Sequence, residues 1–425
     1  MSEAATNSVL SGIGVVIDNM AKADPGAGDP IADLMEQIDD AGIPCLVYNK
    51  IPPKTTRSHF NAAAFILLDW ELWEKPDASD VDAGIPSGGA ELERQGIEEN
   101  IAFLESLRDV CFAPVFIFSH LGPDGIKSHL RDANLLGEQE ERAFILVRNK
   151  ADLKRPEDKS GQPLFDAITD WIAGNPSIYV LSRWKAEVSR SQNRLFWDFY
   201  EKDHTWPGVL WQTYDADHDA PDHALADVLL RNMRARMSPL SLNPKHVMPD
   251  SLPAPSRATL RAVLEASMIV PAAADRLPAN QYGCGDIFRQ TDAEGPLYRL
   301  NIRCDCDCAA RDGKPEKVLL YLLNGRIVPE PELAKQEYFS DKTGFARPMN
   351  EAYVFPMDDG KCVAFSFADI KKRKVADLQK EGAERIGRLT APHITDVRQR
   401  YSQWLQREGF PKIPPIAVRD PPGEA

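Results

Sequence analysis

No stretch of this 425-residue chain approaches the roughly 18 uninterrupted apolar residues that a membrane-spanning helix needs. The amino terminus also lacks a basic segment followed by an apolar one of the secretory type. The two absences point to a cytoplasmic protein with no membrane partner. Positive charge is short as well: 50 Lys and Arg stand against 64 Asp and Glu, a net charge of −14. That sign repels phosphate backbones and disfavours a global grip on nucleic acid. Cysteine is sparse and odd in number, seven in all, which without a secretory signal argues for thiols or a metal site over a disulfide framework. Neither half carries a catalytic triad or a nucleotide loop. What remains is ordinary globular composition, 43% hydrophobic and 27% charged, long enough for two or three domains.

Apolar runs that end in a single polar residue organise the amino-terminal half. Gly14 to Ile17 runs into Asp18-Asn19, and Phe65-Ile66-Leu67-Leu68 runs into Asp69, followed by Trp70-Glu71-Leu72. Pro114 to Phe118 ends in Ser119, and Ala143 to Asn149 ends in Lys150. Runs of this kind read as strands buried on both faces. Ile43 to Tyr48 is a further strand. Between them, Ile31, Leu34, Met35 and Ile38 make a helical stripe with Gly42 as its stop, and Ile97, Ile101, Leu104 and Leu107 make another. Glu74 to Ala90, rich in Asp, Gly, Pro and Ser, reads as an exposed insertion. Ser177 to Leu181 reads as an extra strand. Alternating strands and helices imply a doubly wound parallel sheet. An acid after one strand is ordinarily a turn residue, but here four strand ends carry Asp18, Asp69, Ser119 and Lys150, and in such a sheet these ends converge on one crevice.

The order acid, acid, hydroxyl, lysine at successive strand ends resembles the receiver domain of two-component response regulators. The wording around Asp69 and the extra strand are closer to the divergent bacterial "response receiver domain" proteins. The resemblance covers one domain-sized unit, roughly the first 150 to 180 residues. It implies a receiver/flavodoxin-like fold and a cytoplasmic signalling protein in which Asp69 is the phosphoacceptor. It further implies Mg²⁺ held by Asp18, Asp69 and the backbone carbonyl of Glu71, with Lys150 and Ser119 sensing the phosphate and a histidine-kinase-like partner as donor. A place in bacterial stress or phage defence follows from the same resemblance. The chemistry suits these residue types: a carboxylate can accept a phosphoryl group, and the transferred group needs cations and donors around it. Three features depart from the usual pattern: Asn19 stands where a second adjacent acid is common, Ala151 follows the lysine in place of proline, and the insertion after Asp69 is long. A pseudo-receiver that acts by contact without phosphorylation is the alternative. Asn149-Lys150-Ala151-Asp152-Leu153 also reads like a guanine-recognising element, but no G-x-x-x-x-G-K-[ST] loop accompanies it to cradle the phosphates.

Beyond the sheet, Leu164, Ile168, Trp171 and Ile172 mark a closing helix. Stripes at Trp184 to Phe199 and Ala224 to Met237 suggest a helical connector over residues 183–255, between a receiver-like domain at 1–182 and an α+β output domain at 256–425. The connector could form a homodimer surface. In the last part a helix at Ala258 to Ala266 precedes Gly283-Cys284-Gly285-Asp286. Strands are expected at Leu297 to Cys304, Lys317 to Leu323, Tyr353 to Met357 and Val363 to Phe367, and a helix at Pro392 to Glu408 capped by Thr390. This small antiparallel sheet or barrel is weakly similar to toxin-type endoribonuclease barrels, which would make RNA cleavage the output. Cys304, Cys306 and Cys308 would share one face of a strand about 6.6 Å apart. That is too far for one zinc ion with bonds of about 2.3 Å unless the chain bends and Cys284 or Cys362 joins, so Zn²⁺ is the lesser reading beside buried thiols. Lys371-Lys372-Arg373-Lys374 is a solvated basic face and the one local patch suited to phosphate.

Overall fold

Each apolar run of the amino-terminal half becomes a strand in the computed structural model: β1 (Ile13–Ile17), β2 (Cys45–Tyr48), β3 (Ala63–Asp69), β4 (Val115–Ser119) and β5 (Ile145–Asn149). The structure describes residues 12–21, 30–73, 89–137, 144–156, 161–216, 221–248, 254–273, 277–292, 295–310, 313–333, 339–340, 344–345 and 349–407. They fall into two units, one within Met1–His204 and Leu229–Pro253, the other within Thr205–Val228 and Ala254–Ala425. Among the described residues no helix is long and apolar enough to cross a membrane.

In the first unit all four strand pairings are parallel and the order is β2-β1-β3-β4-β5. Helices α1 (Pro30–Asp40), α2 (Gly89–Leu107), α3 (Pro123–Asp132) and α4 (Pro163–Ala173) alternate with the strands, and α5 (Pro176–Tyr200) follows. Because strand side chains alternate, the sheet offers two apolar faces. Val16, Phe65, Leu67, Phe116 and Leu146 pack with Leu34 and Ile38 of α1, Leu164, Ile168 and Trp171 of α4, and Ile178 of α5. Val15, Ile17, Ile66, Leu68, Ile117 and Val147 pack with Phe103 and Leu104 of α2 and Ile126 and Leu130 of α3. Burying each such side chain is worth about 1.5–3 kcal/mol, so both layers are strongly held. The expected insertion lies mostly outside the described residues, at 74–88.

Ser177 to Leu181 is not a strand. Those residues lie inside α5, whose first turn begins with Pro176, a position where proline is favoured because no backbone donor is needed. Ile178 and Tyr179 bury one helical face in the core, and a short apolar run serves a buried helix as well as a strand. The Trp184 to Phe199 stripe lies in the rest of α5, α6 (Trp206–Ala216) follows, and the Ala224 to Met237 stripe falls on α7 (Pro221–Arg236).

The second unit contains α8 (Arg257–Met268) and a seven-stranded sheet of β6 (Ile269–Pro271), β7 (Asp286–Asp292), β8 (Gly295–Asn301), β9 (Leu319–Val328), β12 (Glu351–Met357), β13 (Lys361–Lys374) and β14 (Glu384–Leu389). Two short strands, β10 (Phe339–Ser340) and β11 (Gly344–Phe345), pair separately. The order of the larger sheet is β12-β13-β9-β8-β7-β14-β6, and every pairing in it is antiparallel. Tyr298, Leu300, Leu323, Phe365 and Phe367 pack with Met268 of α8 and with Ile394 and Val397 of α9 (His393–Leu405). Thr390 does not cap α9: its hydroxyl donates to the Met268 carbonyl at 2.9 Å, and Pro392 holds the cap position. Gly285 sits at φ +90°, where a Cβ would lie 2.1 Å from the Leu389 carbonyl oxygen, so only glycine fits this crossing.

Cys304, Cys306 and Cys308 do not share a strand face. Strand β8 ends at Asn301, and Asp305–Cys308 is a single helical turn with Cys308 buried and Cys306 exposed. The Asp305 carboxylate accepts from the Cys284 backbone N–H at 2.7 Å. The Cys308 N–H bonds back to the Cys304 carbonyl at 3.2 Å, so the alternating Cys-Asp pattern is a turn and not a pleat.

Candidate functional site

Strand register brings the polar ends together. Ile17 pairs with Leu68, so Asp18 stands level with Asp69 on adjacent strands β1 and β3. Asp69 pairs with Phe118, and Ser119 with Asn149, which places Ser119 and Lys150 one step further out on β4 and beyond β5. Parity aims both acids the same way: Asp18 is two residues past Val16, and Asp69 two past Leu67, both on the face that packs against α1. The chain passes from one side of β1 to the other between β2 and β3, so the crevice between β1 and β3 is the topological switch point, where open α/β sheets bind ligands.

The Lys150 ammonium closes the site. Its Nζ donates to Asp18 Oδ2 at 2.7 Å and lies 2.9 Å from Asp69 Oδ2, with all three side chains buried. Lys150 opens a short 3₁₀ turn, Lys150–Leu153, and the Asn149 side chain fixes that turn by accepting from the Ala151 N–H at 2.9 Å. Gln37 of α1, fully buried, donates to the Leu153 carbonyl at 3.0 Å and accepts from the Leu164 N–H at 3.1 Å. The same helix contributes Asp33, which accepts from the Arg155 N–H at 2.8 Å. Helix α1 therefore sets the height at which the lysine enters. Lys150 is committed to the two acids, so the guanine-recognition reading of residues 149–153 gains no support from its position.

Burial pushes the Asp69 carboxyl upward; the ammonium pulls it back, Asp18 pushes it up again, and the net direction is up. Burial works against the Lys150 charge, but the two acids outweigh it and hold the amine above its ordinary value.

Glu71 and Asn19 complete the pocket, and neither contact was legible in the sequence. The Glu71 backbone N–H donates to Asp69 Oδ1 at 3.2 Å, and its carbonyl, the expected metal ligand, accepts from Asn19 Nδ2 at 3.2 Å. Its carboxylate Oε2 accepts from the Ser119 hydroxyl at 3.1 Å. The hydroxyl of Ser119, expected to sense a phosphate, thus already donates to Glu71. The only sequence signal for this was an acid two residues beyond Asp69, on the loop that leaves the same strand end.

Asp18 and Asp69 are the oxygen-bearing side chains that could hold a hard divalent cation such as Mg²⁺, with the Glu71 carbonyl, now accepting from Asn19, as the further oxygen expected from the sequence. Among the described residues no group of three or more His, Cys, Asp and Glu side chains could hold a metal ion; two carboxylates and a carbonyl are not a group of that type. The space bounded by Asp18, Leu34, Leu67, Asp69, Phe118 and Lys150 is only about 10 Å³, the room of about one water. A phosphoryl group enters it only when Lys150 or the loops yield. A larger cavity of about 640 Å³ lies at the opposite ends of the strands, lined by Gly12, Ala64, Pro114, Ile178 and Lys185. There the Lys185 ammonium donates to the Ala63 carbonyl at 2.7 Å; Ser182 and Ser189 contribute hydroxyls to the lining, but no carboxylate stands among the described lining residues, so the smaller space is the one that gathers acids and an amine.

The cysteines of the second unit have separate partners: Cys304 Sγ accepts from Arg398 at 2.9 Å, and Cys308 Sγ from Asn301 at 3.4 Å. Of the basic run, Lys372 lies over the Tyr321 ring and Arg373 pairs with Glu381. No protein-family model matches this chain, and no curated protein matches it.

Proposed function

We propose that the first unit is a receiver-like phosphoacceptor of flavodoxin-like topology, in which Asp69 takes a phosphoryl group from a histidine-kinase-like partner and the second unit is the output. The observation that carries this reading is the Lys150 ammonium held between Asp18 and Asp69 at the strand ends. The strand order and the switch point between β1 and β3 support the topology. In the reaction an Asp69 oxygen forms a bond to phosphorus, the bond from phosphorus to the donor breaks, and the donor keeps that electron pair. The product is an acyl phosphate. Mg²⁺ held by Asp18, Asp69 and the Glu71 carbonyl would neutralise the charge of the incoming group. Lys150, its charge secured by its two acids, then pairs with a phosphoryl oxygen, and Ser119 donates to another.

The small volume of the space beside the triad, about 10 Å³, favours a second reading, in which the triad is a fixed structural element and the unit acts by contact alone. The two are separated by incubating the full chain with a small acyl phosphate and Mg²⁺. The first reading expects one phosphoryl group on Asp69 in wild type and none in Asp69→Asn. An unmodified wild-type chain overturns it in favour of the second.

A further inference from the structure

We propose that the Glu71 carboxylate is a built-in competitor for the phosphate-sensing hydroxyl, holding Ser119 in the unphosphorylated protein until a phosphoryl group on Asp69 displaces it. This rests on the reading of Asp69 as phosphoacceptor. A serine hydroxyl has one proton to donate. The Ser119 oxygen already accepts from the Leu121 N–H at 3.0 Å, and its proton goes to Glu71 Oε2 at 3.1 Å, with Ser119 fully buried. Ser119 therefore cannot serve Glu71 and a phosphoryl oxygen together.

The backbone aims the competitor at the reacting group. Glu71 follows Asp69 by two residues, its N–H rests on Asp69 Oδ1, and Asn19 clamps its carbonyl. Its side chain is thus anchored from a segment that contacts the phosphoacceptor itself. A group that arrives on Asp69 with negative charge on its oxygens meets a carboxylate bonded to the same hydroxyl it needs, and like charges in a buried pocket separate. Displacement of Glu71 from Ser119 gives the unit two arrangements, each satisfying the hydroxyl with a different anion, which is the form a switch requires. The Glu71 backbone is held at both its N–H, by Asp69, and its carbonyl, by Asn19, so the side chain can move while the backbone stays in place. Glu71 acts through Ser119 and is a positioning residue.

The test is a titration of the full chain with beryllium fluoride and Mg²⁺, followed by calorimetry, in wild type, Glu71→Ala, Glu71→Gln, Ser119→Ala and the Glu71→Ala/Ser119→Ala double variant. Glu71→Ala is expected to bind roughly tenfold more tightly than wild type, the equivalent of one hydrogen bond no longer contested. Glu71→Gln, which keeps an acceptor for Ser119 but not the charge, is expected to gain less. In the Ser119→Ala background the Glu71→Ala gain disappears, because competitor and contested group are both gone. Equal gains with and without Ser119 overturn the proposal, since the effect is then only charge removal. Unchanged or weaker binding in Glu71→Ala overturns it too. A wild-type chain that shows no binding dependent on Asp69 sinks the phosphoacceptor reading itself, an outcome distinct from wild-type binding with no effect of Glu71.

Discussion

Replacing Lys150 by Met removes the cation that touches both acids while keeping an apolar stem of similar length. Its Nζ lies 2.7 Å from Asp18 and 2.9 Å from Asp69, and the three side chains are 3–5% exposed. Water therefore cannot take over the role of the ammonium. Breaking a buried ion pair by removing one partner costs about 3–5 kcal/mol, because the charge left behind is uncompensated. For a unit of about 150–250 residues each kcal/mol shifts the melting temperature by about 2–4 °C, so the variant is expected to melt roughly 6–20 °C lower at pH 7. The deficit has a pH signature. Without the ammonium that pulls it down, the Asp69 carboxyl binds its proton more readily still, so the gap to wild type narrows from pH 7 to pH 5. It also narrows with millimolar Mg²⁺, which would supply the missing charge. Calorimetry of the full chain measures the loss, and hydrogen exchange in peptides of β1 and β3 assigns the transition to the first unit. A variant within about 1 kcal/mol of wild type at pH 7, with no response to pH or Mg²⁺, would refute the ion triad as drawn, since the mutational cost of a buried pair is well above that.

Asp69→Asn is expected to stabilise the first unit at pH 7, by about 0.5–2 kcal/mol, as for other functional groups held at a cost in stability. The sign follows from its raised carboxyl pKa: the native state holds the proton longer than the unfolded chain, so wild-type stability is lost as pH rises through that raised value. The advantage of the variant therefore shrinks as pH falls from 7 toward about 4, the ordinary Asp range, and melting temperatures across that range check it. In the second unit, Asp286 is fully buried, pairs with Arg388 at 2.6 Å and Arg385 at 3.6 Å, and accepts from the Gly283 N–H at 2.8 Å. Asp286→Ala removes the carboxylate that both guanidinium groups share, leaving them with carbonyl acceptors such as that of Gln281, and is expected to cost about 3–5 kcal/mol, read as an earlier second-unit transition with hydrogen exchange in β3 unchanged.

The strand ends were legible because a strand buried on both faces must be apolar throughout, which makes the first polar residue after it conspicuous. Asp18, Asp69, Ser119 and Lys150 were found that way, and register then brings them level. Ser177 to Leu181 failed for the same reason in reverse: five largely apolar residues suit a strand or a buried helical turn, and Pro176 was the deciding signal. The cysteine hexamer misled because an alternation of two residue types imitates a pleat, whereas Asp305 and Asn301 draw the chain into a turn through the bonds they make to Cys284 and Cys308. The contacts of Asn19 and Glu71 join loops leaving β1, β3 and β4. Which loop atoms meet depends on heights set by Gln37, Asn149 and the strand register, and no local pattern encodes that.

The proposed role of Asp69 makes its carboxylate a nucleophile toward phosphorus beside Asp18 and Lys150. A peptide map of the full chain after exposure to acetyl phosphate and Mg²⁺, with borohydride used to trap any acyl phosphate by reduction, tests it. A reduced residue at position 69 that depends on Mg²⁺ and on Lys150 is expected. An unmodified Asp69, or trapping at a different carboxylate, would contradict it.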